Sequence, residues 1–438
     1  MSKDEETTGV LVIGPLWISE CDPAVGMKNF FDMLSRKSHK VVVLFGAACT
    51  TVTDPIAKAA QFFQLVQLTY ADTHPMYTME NYPNFFRVVP SEAAFNPARV
   101  ALLQHFNWTR VGTLYQNSPR YALPHSKLLT DLETAKIEIA AQHGFVDELQ
   151  SAIRKLKEKD VRIILGNFDQ SWAGQIFCEA YHVGLYGRKY QWIIVGMYDE
   201  HWWRNNDKHI TCDQSQLQEA LEGYIATDVL PLSTEDKITV SGLIPAEYEA
   251  QYNQARRGSY SRFHGYAYDG IWAIALAIEK VREMLISEES SRSLEIFEYK
   301  DPTWARLFRE AFNKTSLLGV TGPVSFTRNE RRGLVLLKQF QGGTEVKIGE
   351  YDSIGDTLDL SKGQAITWRD NSRKGCQSNS LPQELAVIPA LEGGNIKMSS
   401  PYLNNLIIIG CMLTYTSVVL LGLDSRLTSE KNFPYICA

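Results

Sequence analysis

The sequence predicts an α/β fold of more than one lobe, built on parallel sheets and followed by one apolar span. Three observations point there. Short β-rich runs, several of them apolar on both faces, alternate with longer amphipathic stretches between Lys40 and Asp352; strands buried on both faces and separated by helices make parallel sheets from βαβ units. The chain has 438 residues, 45% hydrophobic and 21% charged, enough to bury more than one core. Leu403 to Leu423 carries no charged residue, and a helix of that length crosses roughly 30 Å of hydrocarbon.

In chain order, the strand candidates are Val41–Gly46, Leu65–Tyr70, Arg110–Tyr115, Val161–Phe168 and Tyr190–Tyr198. The helical patterns between them include Asp54–Phe63, Pro97–Phe106, Glu148–Lys157 and Ser171–His182. After the first strand, Thr53 or Asp54 is placed to cap a helix with Pro55 in its first turn. Ligands of open α/β sheets sit beyond the carboxyl ends of strands, where helix N-termini offer free N–H groups, so the loop Ala47–Thr53 is the place to look for a cleft. Past Phe312 the pattern changes to hairpin-like strands, GPVSFT, GLVLLKQFQ and EVKIGEYD, with Gly342-Gly343 at a turn; these read as a smaller antiparallel piece closing the domain. Ser361 to Asn395, rich in Ser, Gly, Asn and Pro and without lasting periodicity, reads as a linker.

The formal net charge of -6, with both signs mixed along the chain, argues against a nucleic-acid surface, which needs clustered positive charge. No phosphate-cradling Gly-Lys loop, HExxH, paired CxxC or GxSxG elbow occurs, so no catalytic residue and no cofactor is proposed. The nine histidines are scattered without a close pair on one helix, and no metal site is assigned. Met1–Thr8 is charged and acidic, and Val10–Leu16 is broken by Gly14 and Pro15, so no signal peptide is legible.

The strings FFRVVPS, KDVRIILGNFDQ, KYQWIIVGMYDEHWW, FHGYAYDGIWAIA, GVTGPVSF, VKIGEYDS, IKMSSPYLNNLIIIG and LLGLDSRLTSEKNF resemble the metabotropic GABA type B receptors, and among them the second subunit type, which binds no GABA. The match runs from about Trp17 to Trp368 and from Ile396 to Cys437. The resemblance implies a two-lobed, periplasmic-binding-protein-like (type I) Venus-flytrap domain of a class C receptor. It places residues 1–368 in that domain, with lobe 1 mainly 17–115 and 270–352 and lobe 2 mainly 116–269. Residues 369–397 would be a linker in place of the first transmembrane helix, and 398–438 a transmembrane helix (403–423) with the start of an extracellular loop. It further implies a heterodimer with the GABA-binding subunit at the plasma membrane, and coupling to a G protein only where the full seven-helix domain is present. Compared with the family, the first strand and helix of lobe 1 are replaced by Met1–Leu16, so the chain reads as a truncated form. The competing readings are a GABA- or amino-acid-binding subunit, a soluble solute-binding protein, and an amide-sensing domain attached to an enzyme.

GABA is a short zwitterion that needs hydroxyl or N–H donors for its carboxylate and an acid for its ammonium. The resemblance puts Thr50 where the binding subunit has one serine, and Asp72 where it has a second. A carboxylate at Asp72 would repel that of the ligand by several kcal/mol at roughly 4 Å in a partly buried cleft. Val89 stands in place of a histidine, Asp169 in place of a tyrosine, and Phe263 near the position of the acid. The cleft is therefore expected not to hold GABA. The same resemblance pairs Cys21 with Cys49 and Cys178 with Cys212, each bridge constraining the unfolded chain by roughly 3 kcal/mol. It also puts Phe30, Phe31, Phe62 and Phe63 on the lobe 1 helices used for subunit pairing. Asn313-Lys314-Thr315 and Asn107-Trp108-Thr109 are sequons compatible with glycosylation; Asn313 follows a predicted helix, and Trp108 is expected to pack inward.

Overall fold

The computed structural model describes residues 21–36, 40–204, 208–287 and 292–368. Two sheets organise them. The first lobe begins with α1 (Pro23–Leu34), β1 (Val43–Phe45), α2 (Thr50–Phe62), β2 (Val66–Thr69) and β3 (Phe85–Arg87), and its three strands run parallel. Leu44, Val66, Leu68 and Phe86 are buried against the covering helices, which is why these strands read as continuous apolar runs.

The chain then crosses through α3 (Asn96–His105) into the second lobe. There β4 (Arg110–Gln116), α4 (Pro119–Thr134), β5 (Glu138–Phe145), α5 (Leu149–Glu158), β6 (Ile163–Asn167), α6 (Gln170–Val183), β7 (Gln191–Val195), α7 (Gln214–Leu221) and β8 (Ile225–Val229) follow in alternation. Their strands lie parallel in the order β5-β4-β6-β7-β8. Helices α8 (Pro245–Ala255), α9 (His264–Ser287) and α10 (Pro302–Lys314) precede β9 (Ser316–Gly319), β10 (Gly322–Thr327) and β11 (Glu330–Arg332), which complete the first sheet. A last crossing at Gly333 delivers β12 (Leu334–Gln341), β13 (Thr344–Asp352) and β14 (Thr357–Asp359) to the second sheet. The described chain thus passes between the lobes three times, and the cleft lies where the carboxyl ends of both parallel sets face those crossings.

Four expectations are corrected. Arg110–Tyr115 and Leu334–Asp352, expected in lobe 1, lie in the second sheet. The antiparallel strands are accordingly shared between both lobes instead of forming one closing piece. Val335, Leu336, Leu337 and Phe340 are buried, so β12 needs a strand on each side, and β8 and β13 supply them.

Helix α2 starts at Thr50 with Cys49 as N-cap, so Pro55 lies inside it. The Pro55 nitrogen cannot donate to the Thr51 carbonyl, and Thr51 is exposed. Finally, residues 361–368 are not a free linker. The Thr367 amide donates to Gln339 Oε1 at 2.9 Å, Gln364 donates its amide to the Lys347 carbonyl at 2.8 Å, and the Trp368 ring meets Phe106 edge-on at 5.3 Å. The hairpin turn at Gly342-Gly343 is present between β12 and β13, both glycines at positive φ (60° and 88°), as a two-residue turn of the primed kind requires.

Among the described residues no helix is long and apolar enough to cross a membrane. The span Leu403–Leu423 lies outside the described residues, as do Met1–Leu16.

Candidate functional site

The cleft edge of lobe 1 is assembled by a hydroxyl-pinned turn. Thr69, the last residue of β2, donates its hydroxyl to the Ala47 carbonyl at 2.6 Å and accepts the Asp72 amide at 3.2 Å. One side chain thereby holds the loop before α2 against the turn after β2, an arrangement Thr makes readily. Asp72 is then aimed at the start of α2. Its Oδ1 accepts the Thr50 hydroxyl at 3.0 Å and the His74 amide at 3.1 Å. Asp72 is 2% exposed and its Oδ2 has no hydrogen-bond partner among the described residues.

Next to it, the lobes are braced by charge. Glu92, in the 3-10 turn Glu92–Phe95 on the first crossing, is buried. Its Oε1 accepts the Thr73 hydroxyl at 2.9 Å and two bonds from the Arg120 guanidinium, that from Nε at 2.9 Å. Arg120 opens α4 in lobe 2, and its Nη2 also reaches the Thr73 hydroxyl at 3.2 Å. Burial pushes the Glu92 carboxyl up, with Arg120 pulling against it. Burial works to lower Arg120, but the facing Glu92 outweighs it and the net shift is upward. Burial followed by Arg120 holds His74 below its ordinary value, so its ring is neutral at neutral pH, and Nδ1 accepts the Met76 amide at 3.2 Å.

Lobe 2 contributes differently. Asp169 is the N-cap of α6, accepting from the Trp172 amide at 3.0 Å and the Ser171 hydroxyl at 2.6 Å. It is half-buried. Tyr121 links the two edges electrostatically: burial raises its phenol well above the ordinary value, Glu92 adds to that, Arg120 opposes it and Asp169 adds further.

The sequence-derived cleft residues therefore separate. Thr50 and Asp72 are in direct contact; Asp169 stands on the other lobe; Val89 is fully buried in the lobe 1 core, and Phe263, just before α9, packs against that core. Thr73, His74, Glu92, Arg120 and Tyr121 were not anticipated. The available signals were one acid, Glu92, among the apolar residues Val88–Phe95, and Arg120 directly after a helix-opening proline.

Both expected bridges are present: Cys21–Cys49 anchors the entry to α1 at the N-cap of α2, and Cys178–Cys212 anchors α6 to the approach to α7, each with Cα atoms 5.6 Å apart. Of the four phenylalanines, Phe31 and Phe62 are exposed (49% and 65%), whereas Phe30 is 3% exposed and belongs to the core. Phe63 is half-buried between Phe30 and Tyr299, with centroids at 6.0 and 6.4 Å. The exposed patch is thus narrower than expected, because α1 and α2 turn one aromatic each toward the other. Lys300 Nζ lies 4.7 Å from the Phe62 ring centroid. Asn107 and Thr109 are both exposed and Trp108 packs inward, while Asn313 is inside the last turn of α10 and Thr315 is buried, its hydroxyl donating to the Ala311 carbonyl.

A two-sheet clamshell with a cleft at the strand ends is what ligand-sensing receptors use, and the profile of the receptor family ligand binding region matches residues 17–338. The chain belongs to this receptor family. Over 452 residues it is 40% identical to gamma-aminobutyric acid type B receptor subunit 2 of Homo sapiens, covering 96% of this chain and 48% of the human one. Subunit 2 of Caenorhabditis elegans is 33% identical (96% and 51% covered), and subunit 1 of Mus musculus is 31% identical (96% and 46% covered). This receptor chain spans about half the length of the curated relatives it matches.

Proposed function

We propose that this chain is the ligand-binding-like part of a GABA type B receptor subunit of the class C kind, and specifically of the partner type that does not itself hold GABA. One observation carries the reading: the Asp72 carboxylate already takes the Thr50 hydroxyl at the start of α2 and the His74 amide in the turn after β2, two donors for which an incoming carboxylate would have to compete. An anionic ligand must both displace those bonds and approach a buried negative charge, which is strongly unfavourable in a low-dielectric cleft. Higher identity to subunit 2 than to subunit 1 supports the same assignment. The proposed setting is the plasma membrane with this domain outside, paired with a GABA-binding subunit through the exposed Phe31 and Phe62 on α1 and α2. Glycosylation at Asn107 and Asn313 suits that setting. Coupling to a G protein is proposed only for a receptor carrying the complete seven-helix domain.

Calorimetric titration of the full chain with GABA is expected to give no binding heat up to millimolar ligand, and micromolar binding would refute the reading. The second reading, a receptor for an amine lacking a carboxylate, has the unpartnered Asp72 Oδ2 in its favour. The same titration with simple alkylamines separates the two.

A further inference from the structure

The structure assigns a second, independent site to lobe 2: once the Cys178–Cys212 bridge is opened, Cys178, His182 and Cys212 form a three-ligand site for a zinc-like divalent ion. Cys178 and His182 are four residues apart on α6, which puts them on one helix face, and Cys212 comes from the loop ahead of α7. His182 Nε2 lies 3.5 Å from Cys178 Sγ and 3.6 Å from Cys212 Sγ. Among the described residues this is the group of His, Cys and acidic side chains whose ligand atoms converge closely enough to share an ion.

The distances fit the chemistry. Tetrahedral zinc with sulfur at ~2.3 Å and nitrogen at ~2.0–2.1 Å has N···S edges of about 3.6 Å and an S···S edge of about 3.8 Å. With the bridge closed both N···S distances already match those edges; once it opens the sulfurs part by roughly 1.7 Å to reach the S···S edge, a displacement that rotation of the three side chains supplies between Cα atoms 5.6 Å apart. The Thr211 hydroxyl lies beside the group, 3.0 Å from Nε2 and 3.4 Å from Cys178 Sγ, and the fourth ligand is this hydroxyl or a water. The Cys212 amide, 3.1 Å from Cys178 Sγ, supports negative charge on that sulfur. His182 and Thr211 are exposed and Cys212 is half-buried, so an ion arrives from solvent.

The two states exclude each other and hold the same elements together. Reduction of the S–S bond by a tertiary phosphine consumes one water, yields the phosphine oxide and leaves two thiols; metal binding then releases both thiol protons as two Zn–S bonds form. With zinc present, α6 stays fastened to the approach to α7 in a reducing environment, where the disulfide alone would release it.

The test is anaerobic titration of the phosphine-reduced, desalted full chain with Co²⁺, read by thiolate-to-cobalt charge transfer and tetrahedral d–d absorption. The expected result is one equivalent of tetrahedral, thiolate-ligated Co²⁺, displaced by Zn²⁺. It is abolished in Cys178→Ser, weakened at least about tenfold in His182→Ala, and unchanged in Cys21→Ser. Circular dichroism of oxidised His182→Ala checks the fold, and recovery by Zn²⁺ of any helix signal lost on reduction counts in favour. Absence of the charge-transfer band, or a band of equal affinity in His182→Ala, overturns the assignment.

Discussion

Both lobes place an aspartate just past the carboxyl end of a parallel strand, Asp72 after β2 and Asp169 after β6, and they use it in opposite ways. Asp169 binds the first turn of its own helix, a local role that many sequences fill. Asp72 is buried and accepts from a separate strand-to-helix connection, through Thr50. A carboxylate that caps its own helix serves that helix alone, whereas one that reaches across to a neighbouring connection occupies a donor there. The lobe 2 acid is therefore part of a helix, and the lobe 1 acid ties the turn after β2 to the start of α2.

The strongest way to break this contrast is at the brace beside Asp72. Glu92→Ala leaves Arg120 half-buried without its acid and Thr73 without an acceptor, and is expected to destabilise the chain by about 3 kcal/mol, read as a lowered thermal midpoint. A change within ~0.5 kcal/mol would mean that the lobes do not depend on this pair.

The support beneath the lobe 2 edge gives a pH-dependent effect. His125, buried, faces the Thr113 hydroxyl at 3.0 Å and stacks on Tyr115 at 3.9 Å; burial, then Arg99, lowers it from 6.5 to about 4. As pH falls below 6.5 the unfolded chain takes up a proton that the folded chain refuses until about 4, so stability declines across that window and levels off beneath it. The loss reaches at most ~3 kcal/mol. Denaturation midpoints measured from pH 7 to 4 should flatten in His125→Gln; an unchanged slope removes His125 as the cause.

The smallest effects sharpen the comparison itself. Asp72→Ala strands the Thr50 hydroxyl and the His74 amide and should cost about 1–3 kcal/mol, against ~1 kcal/mol for loss of the cap in Asp169→Ala. Asp169→Asn should be near neutral, since Asn caps as well as Asp. The reverse order in parallel urea melts would show that the two acids are not used as described.

Burial accounts for part of what was legible, although β3 and β8, buried throughout, were not among the strand candidates. Each of the five strand candidates contains a strand: β2, β6 and β7 are buried throughout, β4 is buried at its centre, and β1 buries Leu44. Strand β5 was missed because it sits at a sheet edge, half-exposed and polar in part. Phe30 and Phe31 are adjacent in sequence and opposite in burial, a distinction that depends on which side of α1 meets α2. Cys178 and His182 carried a helical spacing that a search for paired histidines passed over.

The sequence by itself determined the α/β class and, through family resemblance, the pairing of cysteines. Periodicity and residue type record what each segment buries, and that information is local. Only the tertiary structure decided that β12–β14 join lobe 2, that Asp72 holds Thr50, and that Glu92, Thr73 and Arg120 meet across the lobes. Those contacts join residues distant in sequence, and the geometry that brings them together exists only once both sheets have formed.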